Sequence, residues 1–182
     1  MAVIRSWTRS AALAALTVLG TAVPVTGPAH AAHAAHADSP AQVQCQGTES
    51  VTYRPGVTLA PRNIEVTTKG RFGSCTDSAG KVTSGSYGER FTISAGCNDL
   101  LGPFEDRRTI KWSTGDTSVI QATGNSTAVA GQVVTTITGT VTQGRFQGRT
   151  ALQIITLPQP GALQCLTTGF TGATGVTTLT IT

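Results

Sequence analysis

Val133-Val134-Thr135-Thr136-Ile137-Thr138-Gly139-Thr140-Val141-Thr142 decides the fold class. Val133, Ile137 and Val141 share one parity, while Val134, Thr136, Thr138, Thr140 and Thr142 share the other. That period of two marks a strand with one buried face. The threonine parity suits an exposed sheet surface, because β-branched side chains fit the pleat and hydroxyls accept water.

The same period recurs on the N-terminal side. Val43, Cys45, Val51 and Tyr53 alternate with Gln44, Gln46, Ser50 and Thr52 up to Arg54-Pro55-Gly56. Ile64, Val66 and Phe72 then alternate with Glu65, Thr67, Lys69 and Arg71, giving a strand with a charged outer face. After a turn at Ser78–Lys81, Phe91, Ile93, Ala95 and Cys97 alternate with Arg90, Thr92 and Ser94. Asn98 to Asp106 reads as an irregular loop carrying Gly102-Pro103, and Ile110 and Trp112 mark a strand ending at Thr114-Gly115-Asp116. Val119–Thr123, a turn at Gly124-Asn125-Ser126, Thr150–Thr156 and Val176–Ile181 complete about eight strands. The spacing of turns predicts an all-β antiparallel sandwich of immunoglobulin-like style, with Trp112 between the sheets and a barrel or jelly roll as alternatives.

The first 37 residues read differently. Arg5 and Arg9 precede an uncharged, alanine- and leucine-rich run from Ser10 to Val23, and Pro24 and Gly27 then break it. This is the pattern of a secretory signal peptide, too short to span a bilayer. Three A-H-A units follow, so cleavage is expected after Ala31, Ala34 or Ala37. Residues 38–182 are then a single secreted, extracellular domain with no membrane attachment.

Removing Arg5 and Arg9 from the 13 basic residues leaves 11 against nine acids, too even a balance to argue for nucleic acid. His30, His33 and His36 are the only histidines, so cleavage after Ala37 leaves none for a Ser-His-Asp or Cys-His site. Cys45, Cys75, Cys97 and Cys165 are even in number and lack metal-site spacing, and an oxidising compartment makes them two disulfides. If the first three strands form a meander, Cys45 with Cys75 and Cys97 with Cys165 is the preferred pairing. No metal or other cofactor is implied.

Cys45-Gln46-Gly47-Thr48, Thr52-Tyr53-Arg54-Pro55-Gly56, Gly73-Ser74-Cys75, Ile110-Lys111-Trp112-Ser113-Thr114-Gly115 and Thr138-Gly139-Thr140-Val141-Thr142 together resemble a group of short secreted actinobacterial β-rich proteins with no assigned activity. The resemblance covers most of the chain after residue 37. Its motifs are structural in type, so it implies a fold and a compartment but no functional residue.

Two segments carry candidate chemistry. Asp99, Glu105, Asp106 and Asp116 cluster around the Trp112 segment, and paired carboxylates are what a hydrolase without histidine would use. The bland reading is a solvated charge cluster. Leu157 to Leu166 is a proline-braced loop beside Cys165, in which Leu163 and Gln164 are the candidate binding residues. The expected function is a binding or surface-interaction domain for an extracellular protein or glycan. A secreted protease-inhibitor-like protein is the alternative and a small carboxylate-dependent hydrolase the third reading. The enzyme question stays open, leaning to no.

Overall fold

Strand β1 (Val43–Val57) pairs with both β2 (Arg62–Asp77) and β8 (Phe170–Ile181), and this double pairing closes the sheet. A computed structural model describes residues 42–182, and the expected signal peptide and its cleavage sites lie outside them. Between β2 and β8 run β3 (Gly85–Ala95), β4 (Gly102–Trp112), β5 (Thr117–Val129), β6 (Gln132–Gly144) and β7 (Thr150–Pro158). Each strand pairs antiparallel with the next, forming an up-and-down barrel in the order β1 to β8.

The expected sandwich is therefore corrected to a closed barrel. A sandwich and a barrel share the same alternation, and what separates them is whether the first and last strands meet. Here Val43 to Thr52 pair with Ile181 to Gly172 in continuous register. The strands are also long, 15 and 16 residues in β1 and β2. Strands that tilt around a barrel need such length, whereas about five or six residues are typical in globular sheets. Two local expectations change as well. Gly124-Asn125-Ser126 lies inside β5, with the turn displaced to Ala130-Gly131 at positive φ, and Gly102 to Asp106 is strand rather than loop.

The inner wall is built from aromatic rings facing glycines. Gly70 lies opposite Tyr87, Gly85 opposite Trp112 and Gly124 opposite Phe104. A Cβ at Gly70 or Gly124 would fall inside the facing ring, and at Gly85 it would lie 2.8 Å from the indole. The missing side chains let large rings lie flat against the wall of a narrow barrel. Trp112 is buried in this interior, donating from Nε1 to Ser118 Oγ at 2.8 Å and meeting Phe146 edge-on at 5.7 Å. One apolar cluster around Phe72, Ile110, Trp112 and Ile181 fills part of the barrel, and a second groups Val51, Val57, Ile64, Val66 and Phe170.

Disulfides join Cys45 to Cys75, directly opposed across β1 and β2, and Cys97 to Cys165. The second ties a 3-10 turn (Cys97–Asp99) to α1 (Ala162–Leu166), a helical turn in the connection between β7 and β8. Two disulfides fit an oxidising, extracellular environment. Among the described residues no helix is long and apolar enough to cross a membrane.

One seam is incomplete. Strands β3 and β4 pair only at Gly85 with Trp112 and Ser86 with Lys111. Beyond those two pairs the backbones separate, and the outward residues along the gap include Arg90, Glu105 and Arg107. Charges on unpaired strand edges oppose pairing with another chain.

Candidate functional site

A belt of polar side chains crosses the barrel interior, contributed by inward positions of five strands. Arg108 of β4 is its hub. Its guanidinium donates to both oxygens of Asp106, at 2.7 and 2.9 Å, and from Nη1 to Gln153 Oε1 of β7 at 2.7 Å. The cation also sits 4.7 Å above the Tyr87 ring of β3. Gln153 in turn donates from Nε2 to Tyr87 Oη at 2.6 Å and to Thr177 Oγ1 of β8 at 2.9 Å, while the Tyr87 hydroxyl donates to Glu49 of β1. Small residues flank the belt along the same wall, where Asp106 pairs with Ala122 of β5 and Ala122 with Gly139 of β6.

Three carboxylates, Glu49, Glu89 and Asp106, face this one guanidinium. Burial alone would lower the Arg108 pKa, but the Asp106 pair outweighs it and holds the guanidinium charged. Burial raises Glu49, partly offset by the Tyr87 hydrogen bond. Burial also pushes Glu89 up to about 7, since its nearest cation, Arg108, approaches only to 4.0 Å. Glu89 Oε1 is buried and makes no hydrogen bond. The belt thus holds one carboxylate fully paired with Arg108, one bound to a phenol and one, beside the open seam, that meets Arg108 only at 4.0 Å and makes no hydrogen bond through Oε1.

The four acids singled out from the sequence do not assemble. Asp99 accepts from the Gly96 amide at 2.8 Å and closes the 3-10 turn, and Glu105 lies exposed on the outer face of β4. Asp116 sits in the β4–β5 turn, bound to Thr114 at 3.2 Å and to Arg145 at 2.8 Å. Asp106 alone of the four enters the belt. Of the proposed loop residues, Leu163 is 73% exposed on α1, and Gln164 turns back to accept from the Gly161 amide at 3.1 Å. Within the Leu157–Leu166 segment, Leu157 and Pro158 end β7, Gly161 is extended, and Ala162–Leu166 form the helical turn that carries both residues.

Glu49, Glu89, Arg108 and Gln153 escaped the sequence reading, although a signal was present. Glu49 shares parity with Val43, Cys45 and Val51, Glu89 with Phe91 and Ile93, Arg108 with Ile110 and Trp112, and Gln153 with Ala151 and Ile155. Charged or amide side chains on the buried parity of several strands mark a polar interior.

A second feature lies at the Cys97–Cys165 disulfide, where a cleft of about 400 Å³ opens. Leu59, Leu100, Leu101, Val133, Pro160 and Leu166 supply its apolar lining, and Asn98 and Gln159 supply amides. No charged or aromatic side chain is among the described residues that line it. Leu59, Leu101 and Leu166 are between 42% and 66% exposed, so their apolar surface is available to a ligand. Among the described residues no group of three or more His, Cys, Asp or Glu side chains is placed to hold a metal ion.

Comparison of the chain with family models, with curated proteins and with solved structures finds no match.

Proposed function

We propose that this is an exported, extracellular binding protein that holds an uncharged, largely apolar small molecule in the cleft beside Cys97–Cys165. The observation carrying this reading is the combination of a concave cleft, a lining without charge and three leucines held partly exposed at it. Its volume falls in the range of small-ligand sites, about 300–1,000 Å³. A lining without aromatic platforms favours an apolar ligand over a glycan. Support for export comes from the charged and apolar N-terminal pattern and from the two disulfides.

Nile red, an uncharged apolar dye, tests the site directly. Its emission should rise and shift to the blue on binding. Leu166→Asp should weaken binding about 30-fold, the equivalent of about 2 kcal/mol for a contact residue, while the melting temperature stays within a degree or two. Equal dye binding by the parent and by both Leu101→Asp and Leu166→Asp would remove the cleft as the site.

A further inference from the structure

We propose a second site in the barrel wall, at the open β3–β4 seam, where Glu89 and Thr68 take the ammonium group of a small organic amine whose apolar part lies against Phe91 and Phe104. This site is independent of the apolar cleft and does not rest on it.

The geometry begins with two buried polar atoms that make no hydrogen bond, Thr68 Oγ1 and Glu89 Oε1, the latter 4.0 Å from Arg108 Nε. They belong to directly opposed residues of β2 and β3, on the inner face of the barrel. Next along the same inner face, Phe91 lies opposite the buried Val66, and Phe104 of β4 lies over Gly124. Inward-facing phenyl rings in a closed barrel should be buried. Phe91 is instead 44% exposed and Phe104 39% exposed, because the β3–β4 ladder stops at Ser86 and Lys111 and leaves the wall open beside them.

Charge defines the ligand class. The carboxylates of Glu49, Glu89 and Asp106 share one guanidinium, and Arg108 directs its short bonds to Asp106 and Gln153. Glu49 is bound by Tyr87, so Glu89, which meets Arg108 only at 4.0 Å and makes no hydrogen bond through Oε1, is the carboxylate left to a ligand. An ammonium group brings the missing charge and three donors, which a carboxylate and a hydroxyl can accept. Phenyl faces add cation–π attraction and apolar contact. A metal ion is disfavoured by the donor set, since Glu89 and Thr68 offer one charged oxygen group and one weak neutral ligand.

Binding should be coupled to a proton. The charged and titratable groups facing Glu89 are Arg108 and Asp106 from β4 and Glu49 from β1, while β2 presents the uncharged Thr68 opposite it. With burial holding its pKa near 7, Glu89 is mostly protonated at pH 6 and mostly ionised at pH 8.

Calorimetric titration of the exported protein with phenethylamine tests the proposal, with 2-phenylethanol as the uncharged control. Phenethylamine should bind at pH 8 and about tenfold more weakly at pH 6, as the ionised fraction of a group titrating near 7 requires. The alcohol should bind at least tenfold more weakly than the amine at pH 8. Glu89→Gln should lose at least tenfold in amine affinity, and Thr68→Val, a milder change that serves if the first variant misfolds, about fivefold. Leu166→Asp should leave amine binding intact, which separates this site from the cleft. Equal amine affinity in the parent and a folded Glu89→Gln or Thr68→Val, equal binding of the alcohol, loss of amine binding in Leu166→Asp, or no heat at millimolar amine would each overturn it.

Discussion

At the scale of single residues, Arg108 is the side chain whose removal has the clearest consequence. Deleting one partner of a buried ion pair leaves the other charge uncompensated, at about 3–5 kcal/mol. Arg108→Met should therefore destabilise the barrel by about that much in urea unfolding, and Asp106→Asn in the same chain should recover part of the loss. A single Arg108→Met variant within 1 kcal/mol of the parent would mean that Asp106 reaches water. Gly70 makes a second case. Tyr87 is 6% exposed and its hydroxyl is bonded to both Glu49 and Gln153, so its ring has no room to retreat from a new Cβ. Gly70→Ala should cost about 1–3 kcal/mol by overpacking, read as a lowered denaturant midpoint with an unchanged slope.

The element scale turns on the two disulfides and on the seam. Helix α1 has five residues, too few for a helix to persist unaided, and it is tied to the rest by Cys97–Cys165 and by the Leu59 amide bonding Cys165 O at 3.2 Å. Replacing Cys97 and Cys165 with alanine should cost about 4 kcal/mol on the chain-entropy model, abolish dye binding at the cleft and admit protease between Pro160 and Thr167. The Cys45/Cys75 double variant should lose a similar amount yet keep the dye, because those cysteines join strands already in register. Retention of dye binding by the Cys97/Cys165 variant would show that the cleft does not need the clasp. Strand existence and inward parity were legible because period two is local, as in Ile64, Val66 and Phe72. Closure was not, because it depends on Val43 meeting Ile181 across almost the whole chain. The belt was half legible: Glu49 and Glu89 stand on apolar parities, but a strand pattern alone does not reveal that their neighbours across the barrel are Arg108 and Gln153.

Across the whole molecule, charge is segregated along the chain. From Thr117 to Thr182 the only charged side chains are Arg145 and Arg149, so β5 to β8 present a wall of threonine, glutamine and a few aliphatic residues. The carboxylates that govern pH dependence consequently all belong to the half of the barrel containing β1 to β4. Two of them, Glu49 and Glu89, are raised by burial. An acid whose folded pKa exceeds its unfolded value binds protons more tightly when folded, so its contribution to stability is present below the unfolded value of 4.5 and is lost as pH rises. For Glu89 the loss runs from about 4.5 to about 7. Asp77 acts in the opposite sense. Burial alone would raise it, but the Ala79 and Val82 amides and the Arg145 guanidinium outweigh that and hold it below 3.8. Its contribution is present above 3.8 and is lost as pH falls through the depressed value. Stability should therefore peak near pH 4–5, on the acid side of the usual pH 5–8 window, and decline toward pH 7. Urea unfolding at pH 3, 4.5, 6 and 8 measures this profile directly. Glu89→Gln should flatten the decline between pH 4.5 and 7 and stabilise the protein at pH 8, leaving the acid limb unchanged because Asp77 is untouched. A maximum at pH 7–8 in both proteins would mean that Glu89 is hydrated through the seam and titrates as an ordinary surface carboxylate.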